Sequence, residues 1–518
     1  MGLPEYRNEP FVDFSQPQVR AAMEEGLRRV EGQLGREYPL WIGGREVAGR
    51  GPTFASTNPS KPSQVIGTFH TPDAAQIDEA VQVATEAFRR WREVPPEERS
   101  VIFLRAAQIM RRNRYDYLAW LILEVGKNWV EAEAEVAEAI DHFEWNAREI
   151  LKFSQPQPVA PFPGELNQMI YIPLGPGVVI PPWNYPYGIA MGMSLAAIAA
   201  GNTVILKPAS DAAALGHVYA RLMKEAGLPD GVLNVLTGSG GQVGEALATH
   251  PGVRWVGFTG SKEVGAHLYR LAAEVRPGQR WLKRVLAELG GKNAAIVDTD
   301  SNLDYVADQV IAGAFGYQGQ KCSATSRVVI VGERYGRFID MLAERIAALS
   351  IGPAKENAAV GPLINQGALR RVQEYVRLAH REGRHVVGGE VLADREGWMM
   401  RPALFADVDP GARVAQEEIF GPVLVAIRAS SFEQAVDIAN ATEYGLTGSV
   451  FTLDPHKIAY AKKYFYAGNL YINRKTTGAW IGAHPFGGYN MSGTDAKLGG
   501  PDYLLYFLQA KTISERYA

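Results

Sequence analysis

Two patterns of apolar residues divide the chain. In residues 73–90, apolar side chains such as Ile77, Val81 and Ala84 recur three or four positions apart, which predicts a helix with one apolar face. The same spacing predicts a helix over residues 101–123. Residues 1–150 are therefore expected to be largely helical.

After Pro156 the pattern changes to short apolar runs separated by helical stretches. The runs predict buried strands over residues 178–180, 203–206, 233–236, 255–258, 294–297 and 328–331. Helices are predicted over residues 187–200 and 211–226, between the first three strands. Strands that alternate with helices of about 10 to 16 residues are typical of right-handed crossovers in parallel sheets. The predicted fold class is therefore α/β, with two doubly wound domains.

Composition narrows the classes of function. The 518 residues are enough for about three domains of ordinary size. The 53 lysines and arginines nearly balance 56 acidic residues, giving a formal net charge of -3. This balance argues against a broad nucleic-acid surface or a polybasic membrane anchor. Cys322 is the single cysteine, which excludes an intramolecular disulfide and a cysteine-rich metal site. We predict no bound metal and a reducing, cytoplasmic location.

One uncharged stretch is long enough to consider as a membrane span. No charged residue occurs between Glu165 and Lys207, but prolines interrupt the stretch up to Pro186. The 14 residues that remain, 187–200, fall short of the roughly 20 needed to cross a hydrocarbon core. The N-terminus also lacks the basic start and apolar run of a signal peptide. We therefore expect a soluble protein with a buried helix here and no membrane partner.

Two glycine-containing turns are candidate phosphate-binding sites. Residues 238–244 follow a predicted strand, but their glycine spacing differs from the dinucleotide fingerprint, and a plain tight turn explains them equally well. In residues 258–265, a predicted strand ends, Gly260 lets the chain turn closely, and Ser261 is placed to cap the helix that follows. Free amides at the start of that helix suit a pyrophosphate, and a simple capped turn fits the same residues.

Six motifs occur in a consistent order from residue 182 onwards. They are residues 182–184 (Pro-Trp-Asn), 207–210 (Lys-Pro-Ala-Ser), 258–261 (Phe-Thr-Gly-Ser), 288–292 (Glu-Leu-Gly-Gly-Lys), 319–322 (Gly-Gln-Lys-Cys) and 417–422 (Glu-Glu-Ile-Phe-Gly-Pro). In these motifs the sequence resembles the aldehyde dehydrogenase superfamily, from about Pro39 to near the C-terminus.

The resemblance implies a particular division of the α/β fold. Residues 1–154 and 175–287 are expected to form an NAD-binding Rossmann-like domain, and residues 288–497 a catalytic domain. Residues 155–174 and 498–518 are expected to form a small β oligomerisation arm. The implied assembly is a homo-oligomer, at least a dimer.

The chemistry of aldehyde oxidation gives the lone cysteine a role. An aldehyde does not readily lose hydride until a thiolate has added to its carbonyl carbon. Taken alone, Cys322 fits a small buried residue better than a nucleophile, Glu288 fits a helix end beside a flexible glycine pair, and Asn184 fits a turn. The resemblance instead implies that Cys322 is the nucleophile and that Glu288 activates the water that hydrolyses the thioester. It also implies that the Asn184 side chain and the Cys322 amide stabilise the oxyanion.

The resemblance also implies which residues bind the cofactor. Lys207 is expected to bind the adenosine ribose hydroxyls and Glu418 the nicotinamide ribose. Phe420 is expected to pack against the nicotinamide, and ordinary core is the alternative. Ser210 stands where a glutamate in other members repels the 2'-phosphate of NADP, so we predict NAD with some tolerance of NADP. The other expected cofactor-binding residues are Ile180, Pro182, Trp183, Gly240, Phe258, Gly260, Ser261, Val264 and Leu289.

Further segments resemble one subfamily, the 1-pyrroline-5-carboxylate dehydrogenases. These segments are residues 124–132, 319–323, 482–488, 491–494 and 499–503. The resemblance implies oxidation of L-glutamate gamma-semialdehyde to L-glutamate in proline catabolism. The implied substrate-binding residues are Tyr185, Ser323, Gly482, Ala483 and Phe486. Gly482 and Ala483 are expected to offer backbone amides to the substrate carboxylate, although a surface turn fits the same residues.

Two positions depart from the superfamily pattern. Met193 stands where many members have a lysine nine residues after the oxyanion asparagine, and Tyr185 stands where phenylalanine is usual. Neither departure changes the three residues expected to be catalytic. Another NAD(P)-dependent semialdehyde dehydrogenase and a catalytically silent member of the same fold remain the alternatives.

Overall fold

Helices and five short strands form the N-terminal part of the computed structural model, which describes residues 3–517. The helices are α1 (Pro17–Glu31), α2 (Ala74–Trp91), α3 (Pro96–Arg112), α4 (Arg114–Val125) and α5 (Trp129–Phe153). The strands, all between α1 and α2, are β1 (Arg36–Tyr38), β2 (Leu40–Ile42), β3 (Arg45–Val47), β4 (Phe54–Asn58) and β5 (Lys61–Phe69). The outermost residues of the predicted domains, Met1, Gly2 and Ala518, lie outside the described residues.

The helical prediction for this region holds in part. The helix predicted over residues 73–90 is confirmed as α2, and the Asp73 side chain caps it by accepting a bond from the Gln76 amide. The helix predicted over residues 101–123 is instead two helices, because Asn113 leaves helical geometry at φ -105° and ψ 23°. Strands β1–β5 were not predicted. Strands β1–β4 have only three to five residues, too few to show a periodicity, and the nine-residue β5 contains Pro62 and Gly67, which weaken the strand pattern.

Strands and helices then alternate through the middle of the chain. The elements are β6 (Glu165–Pro173), β7 (Gly177–Ile180), α6 (Gly188–Ala199), β8 (Val204–Leu206), α7 (Ala213–Glu225), β9 (Leu233–Val235), α8 (Glu245–Thr249), β10 (Trp255–Thr259), α9 (Lys262–Ala273) and β11 (Arg284–Glu288). They form a sheet of order β11-β10-β7-β8-β9-β2-β3. Strands β7 to β11 pair in parallel, whereas β2 and β3 are antiparallel edge strands.

A second alternating series follows. Its elements are β12 (Asn293–Val297), α10 (Leu303–Phe315), β13 (Thr325–Val331), α11 (Tyr335–Ala347), α12 (Gln366–Glu382), β14 (Arg384–Val387), β15 (Ala403–Ala406), α13 (Arg413–Gln416), β16 (Val423–Ala429), α14 (Phe432–Asn440), β17 (Tyr444–Gly445), β18 (Thr447–Phe451), α15 (Pro455–Tyr464), β19 (Asn469–Ile472), β20 (Tyr489–Asn490) and β21 (Leu508–Arg516). The second sheet has the order β14-β15-β16-β13-β12-β18-β19, and only its β14–β15 pair is antiparallel.

Both large sheets are covered on their two faces, which confirms the doubly wound prediction. In β12, Ala295 and Val297 pack into one apolar cluster and Ile296 into another. In β7, Val178 and Val179 separate in the same way. Side chains alternate between the faces of a strand, so each sheet has helices on both sides. Ligands of such folds bind at the carboxyl ends of the parallel strands, and the predicted site residues follow those ends.

A two-stranded antiparallel ribbon lies apart from the two large sheets. Strand β6 pairs with β21 over nine positions, from Pro173 opposite Leu508 to Glu165 opposite Arg516. The pairing of these two segments was predicted and is confirmed. Their role in oligomerisation stays a prediction.

The uncharged stretch before Lys207 folds as predicted. Residues Gly188–Ala199 form α6, and all but Ile189 are buried within the protein. Within residues 3–517, no helix combines the length and the apolar character needed to cross a membrane.

Candidate active site

The loop that carries Cys322 has a strained backbone held by buried side chains. Just before it, Tyr317 and Gln318 adopt left-handed conformations with φ of 50° and 57°. The Tyr317 hydroxyl donates to the Val125 carbonyl at 2.6 Å, and Gln318 Nε2 donates to the Pro362 carbonyl at 2.8 Å. These buried bonds offset the strain and fix the course of the chain into Cys322.

Asn293, the first residue of β12, holds the main chain on both sides of the nucleophile. Its Nδ2 donates to the carbonyls of Cys322 (2.7 Å) and Ala324 (2.9 Å), and its Oδ1 accepts from the Thr447 amide (3.0 Å). Gly291 lies against the same carbonyl, since a Cβ there would be 2.5 Å from the Cys322 oxygen. Sequence reasoning missed Asn293, although it directly follows the Glu-Leu-Gly-Gly-Lys motif.

Asn184 lies beside the same loop. It follows the carboxyl end of β7, is 3% exposed, and donates from Nδ2 to the Gln320 carbonyl at 3.0 Å. That bond uses one amide hydrogen and leaves the second for another acceptor. Asn184 and Cys322 both line a cavity of about 160 Å³. The structure therefore brings the predicted nucleophile and the predicted oxyanion donor to one space.

Glu288 ends strand β11 rather than a helix, and its main chain is held in place. The Gly260 amide donates to the Glu288 carbonyl at 3.1 Å, and the Leu289 amide donates to the Ser492 carbonyl at 2.8 Å. The expected flexible backbone is therefore wrong, because the preceding strand and the turn around Ser492 fix it. Any movement of the carboxylate has to come from rotation of the side chain.

The carboxylate of Glu288 is buried beside a glycine turn, outside the lining of the cavity that contains Cys322. A Cβ on Gly487 would be 3.0 Å from Oε1, and one on Gly493 would be 3.6 Å from Oε2. Neither oxygen has a hydrogen-bond partner among residues 3–517. Burial raises the pKa of Glu288 well above its usual value, and the charge of Lys497 opposes this rise. Lys497 Nζ donates to the Gly487 carbonyl at 2.5 Å, on the same turn.

The Cys322 thiol is also shifted toward its neutral form. Burial raises the pKa of Cys322 to about 12, and the negative charges of Glu418 and Glu288 add to the rise. The thiol therefore keeps its proton near neutral pH, and the thiolate forms when a base accepts that proton.

Most of the predicted cofactor-binding residues surround the cavity beside Cys322. Those that line it are Pro182, Trp183, Gly260, Ser261, Leu289, Glu418 and Phe420. Four further residues line it without having been predicted: Ile189, Thr259, Gly290 and Arg371. Arg371 lies on α12, whose many charged residues resemble an ordinary solvent-exposed helix face, so the sequence did not indicate that Arg371 lines a cavity. Ile180 and Phe258 pack with Leu289 in one apolar cluster that supports the cavity.

The turn after β10 has the predicted helix cap. Ser261 Oγ accepts a bond from the Val264 amide at 3.4 Å, and α9 begins at the next residue, Lys262. Gly260 has no room for a side chain, since a Cβ would be 2.5 Å from the Phe258 ring. The free amides at this helix start face the same region as the cavity and favour an anion.

Lys207 and Ser210 meet at one carbonyl oxygen. Lys207 Nζ donates to Gly238 O at 2.9 Å, and Ser210 Oγ donates to it at 3.4 Å. Lys207 is 4% exposed, and burial lowers its pKa to about 8. Nearby, a Cβ on Gly240 would meet no atom within 4 Å. A buried ammonium with one anchoring carbonyl, beside an open glycine turn, fits the polar groups of a dinucleotide.

Glu418 and Phe420 form the opposite wall. Glu418 Oε1 accepts from the Gly291 amide at 2.9 Å, and burial raises its pKa to about 7. Gly290 cannot carry a side chain, because a Cβ would be 2.4 Å from Glu418 Oε2. Phe420 has a left-handed φ of 60° and packs edge-on against Trp183 at 5.6 Å between ring centroids.

A second cavity, of about 220 Å³, is lined by the neighbours of Asn184 and Cys322 along the chain, Tyr185 and Lys321. Charged residues of both signs line it. The acidic ones, all on α5, are Glu131, Glu138 and Asp141; the basic ones, from other segments, are Lys321, Arg474 and Lys475. The two catalytic candidates therefore lie between two cavities of different character.

The ring of Tyr185 covers a buried ammonium. Lys127 Nζ lies 3.6 Å from the ring centroid of Tyr185 and forms an ion pair with Glu135 at 2.8 Å. This contact uses the ring face, which phenylalanine would also supply. The departure at this position therefore leaves the contact with Lys127 intact.

The predicted anchor loop is organised differently from the expectation. The Gly482 amide donates to the Gly499 carbonyl at 3.0 Å, and the Ala483 amide donates to the Trp480 carbonyl at 3.2 Å. Gly482 is required by its φ of 78° and by the Trp145 ring, which a Cβ would approach to 2.7 Å. Gly482, Ala483, Phe486 and Ser323 are not among the residues lining either cavity, whereas residues 477–481 line the second.

Comparison with known proteins places this arrangement in a family. Residues 47–513 match the aldehyde dehydrogenase family. The chain is 48% identical over 513 residues to the 1-pyrroline-5-carboxylate dehydrogenase of Geobacillus thermodenitrificans, covering 99% of each chain. It is 46% identical over 516 residues to 1-pyrroline-5-carboxylate dehydrogenase 2 of Halalkalibacterium halodurans, covering 99% of this chain and all of the relative. The crystal structure of a Thermus 1-pyrroline-5-carboxylate dehydrogenase with bound NAD superimposes with a TM-score of 0.98, at 46% identity and full coverage of both chains.

The chain belongs to the aldehyde dehydrogenase family. Its fold class and the predicted family are both confirmed by these matches.

Proposed function

We propose that this protein oxidises L-glutamate gamma-semialdehyde, the open form of 1-pyrroline-5-carboxylate, to L-glutamate with NAD, in proline catabolism. The observation that carries the proposal is that Asn184 and Cys322 line the same cavity. Their chain neighbours Tyr185 and Lys321 line a second cavity, which has both acidic and basic side chains in its wall. The names of the full-length relatives at 46–48% identity support the same substrate.

The first bond of the reaction forms at Cys322. The sulfur adds to the aldehyde carbon after its proton has passed to a base, because the buried thiol is neutral at rest. The negative charge that develops on the aldehyde oxygen is stabilised by the free Nδ2 hydrogen of Asn184 and by the Cys322 amide. The resulting thiohemiacetal is held in place by the Asn293 bonds to the Cys322 and Ala324 carbonyls.

The cofactor-binding residues proposed above fit NAD. The buried ammonium of Lys207, the capped helix start at Ser261 and the carboxylate of Glu418 provide the polar groups, while Trp183 and Phe420 provide an apolar wall. When bound, NAD supplies the acceptor for the hydride that leaves the thiohemiacetal carbon.

Hydrolysis of the thioester depends on Glu288. Its side chain rotates from the glycine turn toward Cys322, and its carboxylate accepts a proton from the water that attacks the acyl carbon. The carbon–sulfur bond then breaks and the thiol regains a proton. A carboxylate with a raised pKa is suited to accept a proton near neutral pH.

The charged cavity matches the far end of the proposed substrate. L-glutamate gamma-semialdehyde carries an ammonium and a carboxylate on one carbon. Lys321 pairs with Glu131 at 2.5 Å. The other acidic side chains of α5 that line the cavity are suited to the ammonium, and Arg474 and Lys475 are suited to the carboxylate. Tyr185, which also lines this cavity, borders the aliphatic part of the substrate. Contacts from Ser323, Phe486 and the Gly482 and Ala483 amides stay a prediction that requires the loop to rearrange.

The proposed function also implies a division into domains, an assembly and a location in the cell. We propose that residues 1–154 and 175–287 form the cofactor-binding domain, residues 288–497 the catalytic domain, and residues 155–174 and 498–518 an oligomerisation arm of at least a dimer. Most residues of β21 are exposed and most of β6 are half-buried, so the ribbon has surface available for a partner chain. A single cysteine supports a cytoplasmic location.

The substrate is tested by NADH formation with three aldehydes. Pyrroline-5-carboxylate is expected to give a kcat/KM at least about 100-fold above propanal, which lacks both charges, and at least about 10-fold above succinic semialdehyde, which retains a carboxylate. Each charge is expected to contribute a factor of about ten or more. Comparable kcat/KM values for all three aldehydes would contradict the proposed substrate while leaving the family chemistry in place.

Removing the charge of Lys497 is expected to move the pH dependence of turnover upward. Glu288 acts as a base in its ionised form, so thioester hydrolysis rises with pH until the pKa of Glu288 is passed. Lys497 lowers that pKa, so Lys497→Met raises it further and shifts the acidic limb of kcat to higher pH. Lys497→Arg retains the charge and is the control. An acidic limb that stays in place in Lys497→Met would show that Lys497 does not act on the base.

A glutamate at position 210 is expected to remove tolerance of NADP. Ser210 shares the Gly238 carbonyl with Lys207, so a carboxylate there faces the proposed site of the adenosine ribose. Ser210→Glu is expected to lower kcat/KM for NADP by about 10-fold or more through repulsion of the 2'-phosphate, with a much smaller change for NAD. Ser210→Gln has the same shape without the charge. Equal effects of the two variants on NADP would refute the electrostatic explanation.

A further inference from the structure

The N-terminal segment, residues 6–11, lies across the wall of the charged cavity. It is fixed to the helical region by Glu9, which is 7% exposed. One carboxylate oxygen of Glu9 pairs with Arg114 and the other with Arg111, both at 2.9 Å. The sequence pattern gave no reason to connect these first residues with the substrate.

The segment contacts the loop that lines the cavity. The Tyr6 hydroxyl and Asn8 Nδ2 both donate to the Ile481 carbonyl, at 3.2 and 3.0 Å. Phe11 stacks on Trp480 with ring centroids 5.0 Å apart and planes 20° apart. Phe11, Trp480 and Ile481 all line the cavity.

The segment also holds one of the acidic groups of the cavity. Asp141 is 2% exposed, and its two oxygens accept from Asn8 Nδ2 at 2.8 Å and from the Glu9 amide at 2.7 Å. Burial raises the pKa of Asp141 to about 7, and both bonds oppose this rise by favouring the ionised carboxylate. The segment therefore fixes Asp141 on the helix side of the cavity and Ile481 on the loop side.

We propose that the N-terminal segment is a positioning element of the substrate cavity that determines selectivity for amino-acid aldehydes over simple aldehydes. This inference rests on the proposed function. Asn8 sets the distance between Asp141 and the loop at Ile481, and Phe11 holds Trp480 at the rim. A small apolar aldehyde reacts at Cys322 without reaching these groups, so its turnover does not depend on them.

Two variants of the full chain test the proposal. Asn8→Ala and Phe11→Ala are each expected to raise KM for pyrroline-5-carboxylate by about 10-fold, with little change in kcat. For propanal, kcat/KM is expected to stay within about twofold of the unmodified protein, because a wall contact that the substrate does not reach contributes no binding free energy. Phe11→Trp retains the stack on Trp480 and is expected to restore KM. Arg7→Ala, an exposed position in the same segment, is the matched control.

Two results would overturn the proposal. One is a KM for pyrroline-5-carboxylate in both alanine variants equal to that of Arg7→Ala. The other is an equal loss for both aldehydes, which indicates general support of the fold. If the unmodified protein does not prefer pyrroline-5-carboxylate, the proposed function fails by itself. The same comparison is then made with succinic semialdehyde, whose polar end also reaches the cavity, so the role of the segment is still decided.

Discussion

Cys322→Ala is expected to abolish NADH formation from every aldehyde. Without the sulfur no thiohemiacetal forms, and the remaining oxyanion donors have nothing to stabilise. Loss of the covalent nucleophile lowers kcat by about 10⁶-fold in a serine protease, and a loss of at least about 10⁴-fold is expected here. The measurement is NADH absorbance at saturating NAD and aldehyde, with enzyme concentrations high enough to detect the residual rate.

The fold and the cofactor site of the Cys322→Ala variant are expected to remain intact. The loop is held by Asn293, which binds the main-chain carbonyls of Cys322 and Ala324, and the substitution leaves these carbonyls in place. The unfolding temperature is therefore expected to change by no more than about 2 °C. NAD binding, followed by quenching of tryptophan fluorescence, serves as the second control. Substantial NADH formation by a folded variant would exclude Cys322 as the nucleophile.

Glu288→Gln is expected to separate the two halves of the reaction. The amide has the shape of the glutamate and cannot accept the proton of the attacking water. Steady-state turnover is expected to fall by about 10² to 10⁴-fold, the usual contribution of a general base. A rapid burst of up to one NADH per site is expected to precede the slow phase, because the thioester still forms. Stopped-flow absorbance measures both phases.

The matched control for Glu288→Gln is Asp495→Asn. Asp495 is an exposed carboxylate whose charge also raises the pKa of Glu288, and asparagine retains its left-handed φ of 60°. This variant is expected to keep normal turnover on the plateau of the pH profile, where Glu288 is already ionised. A Glu288→Gln enzyme with unchanged steady-state rate would remove Glu288 from hydrolysis, and a variant with no burst would show that Glu288 is needed for the first bond as well.

Six strands of the two large sheets, β7–β10, β12 and β13, could be predicted because they are short, mostly apolar runs that are buried on both faces. Runs such as Val178-Val179-Ile180 are apolar at every position, as expected for parallel strands covered on both faces. Helix α2 was equally clear, since its apolar face repeats over five turns. Asn113 broke the next helix without a proline or glycine, and no local pattern marks such a break.

The only site residues that could be predicted are those that stand within recognisable sequence motifs. Asn184, Glu288 and Cys322 stand in recognisable segments, but their mutual placement depends on contacts far apart in the chain. Asn293 joins β12 to the nucleophile loop, and Asn8 joins the first residues to Ile481. Such bonds are made by single polar side chains and have no periodicity. The engaged amides of Gly482 and Ala483 likewise depend on Gly499 and Trp480, which no spacing rule connects to them.

The β6–β21 ribbon joins two strands that are more than 300 residues apart in the chain, so β21 is synthesised long after β6. Strand β6 leaves the ribosome before either sheet is complete, and its hydrogen-bonding edge has no partner until residues 508–516 have followed. A truncated or stalled chain therefore keeps an open strand edge that pairs readily with other chains. The ribbon closes only after residues 508–516 have been synthesised, and chains that stop before them are the ones most exposed to aggregation and to removal by quality control.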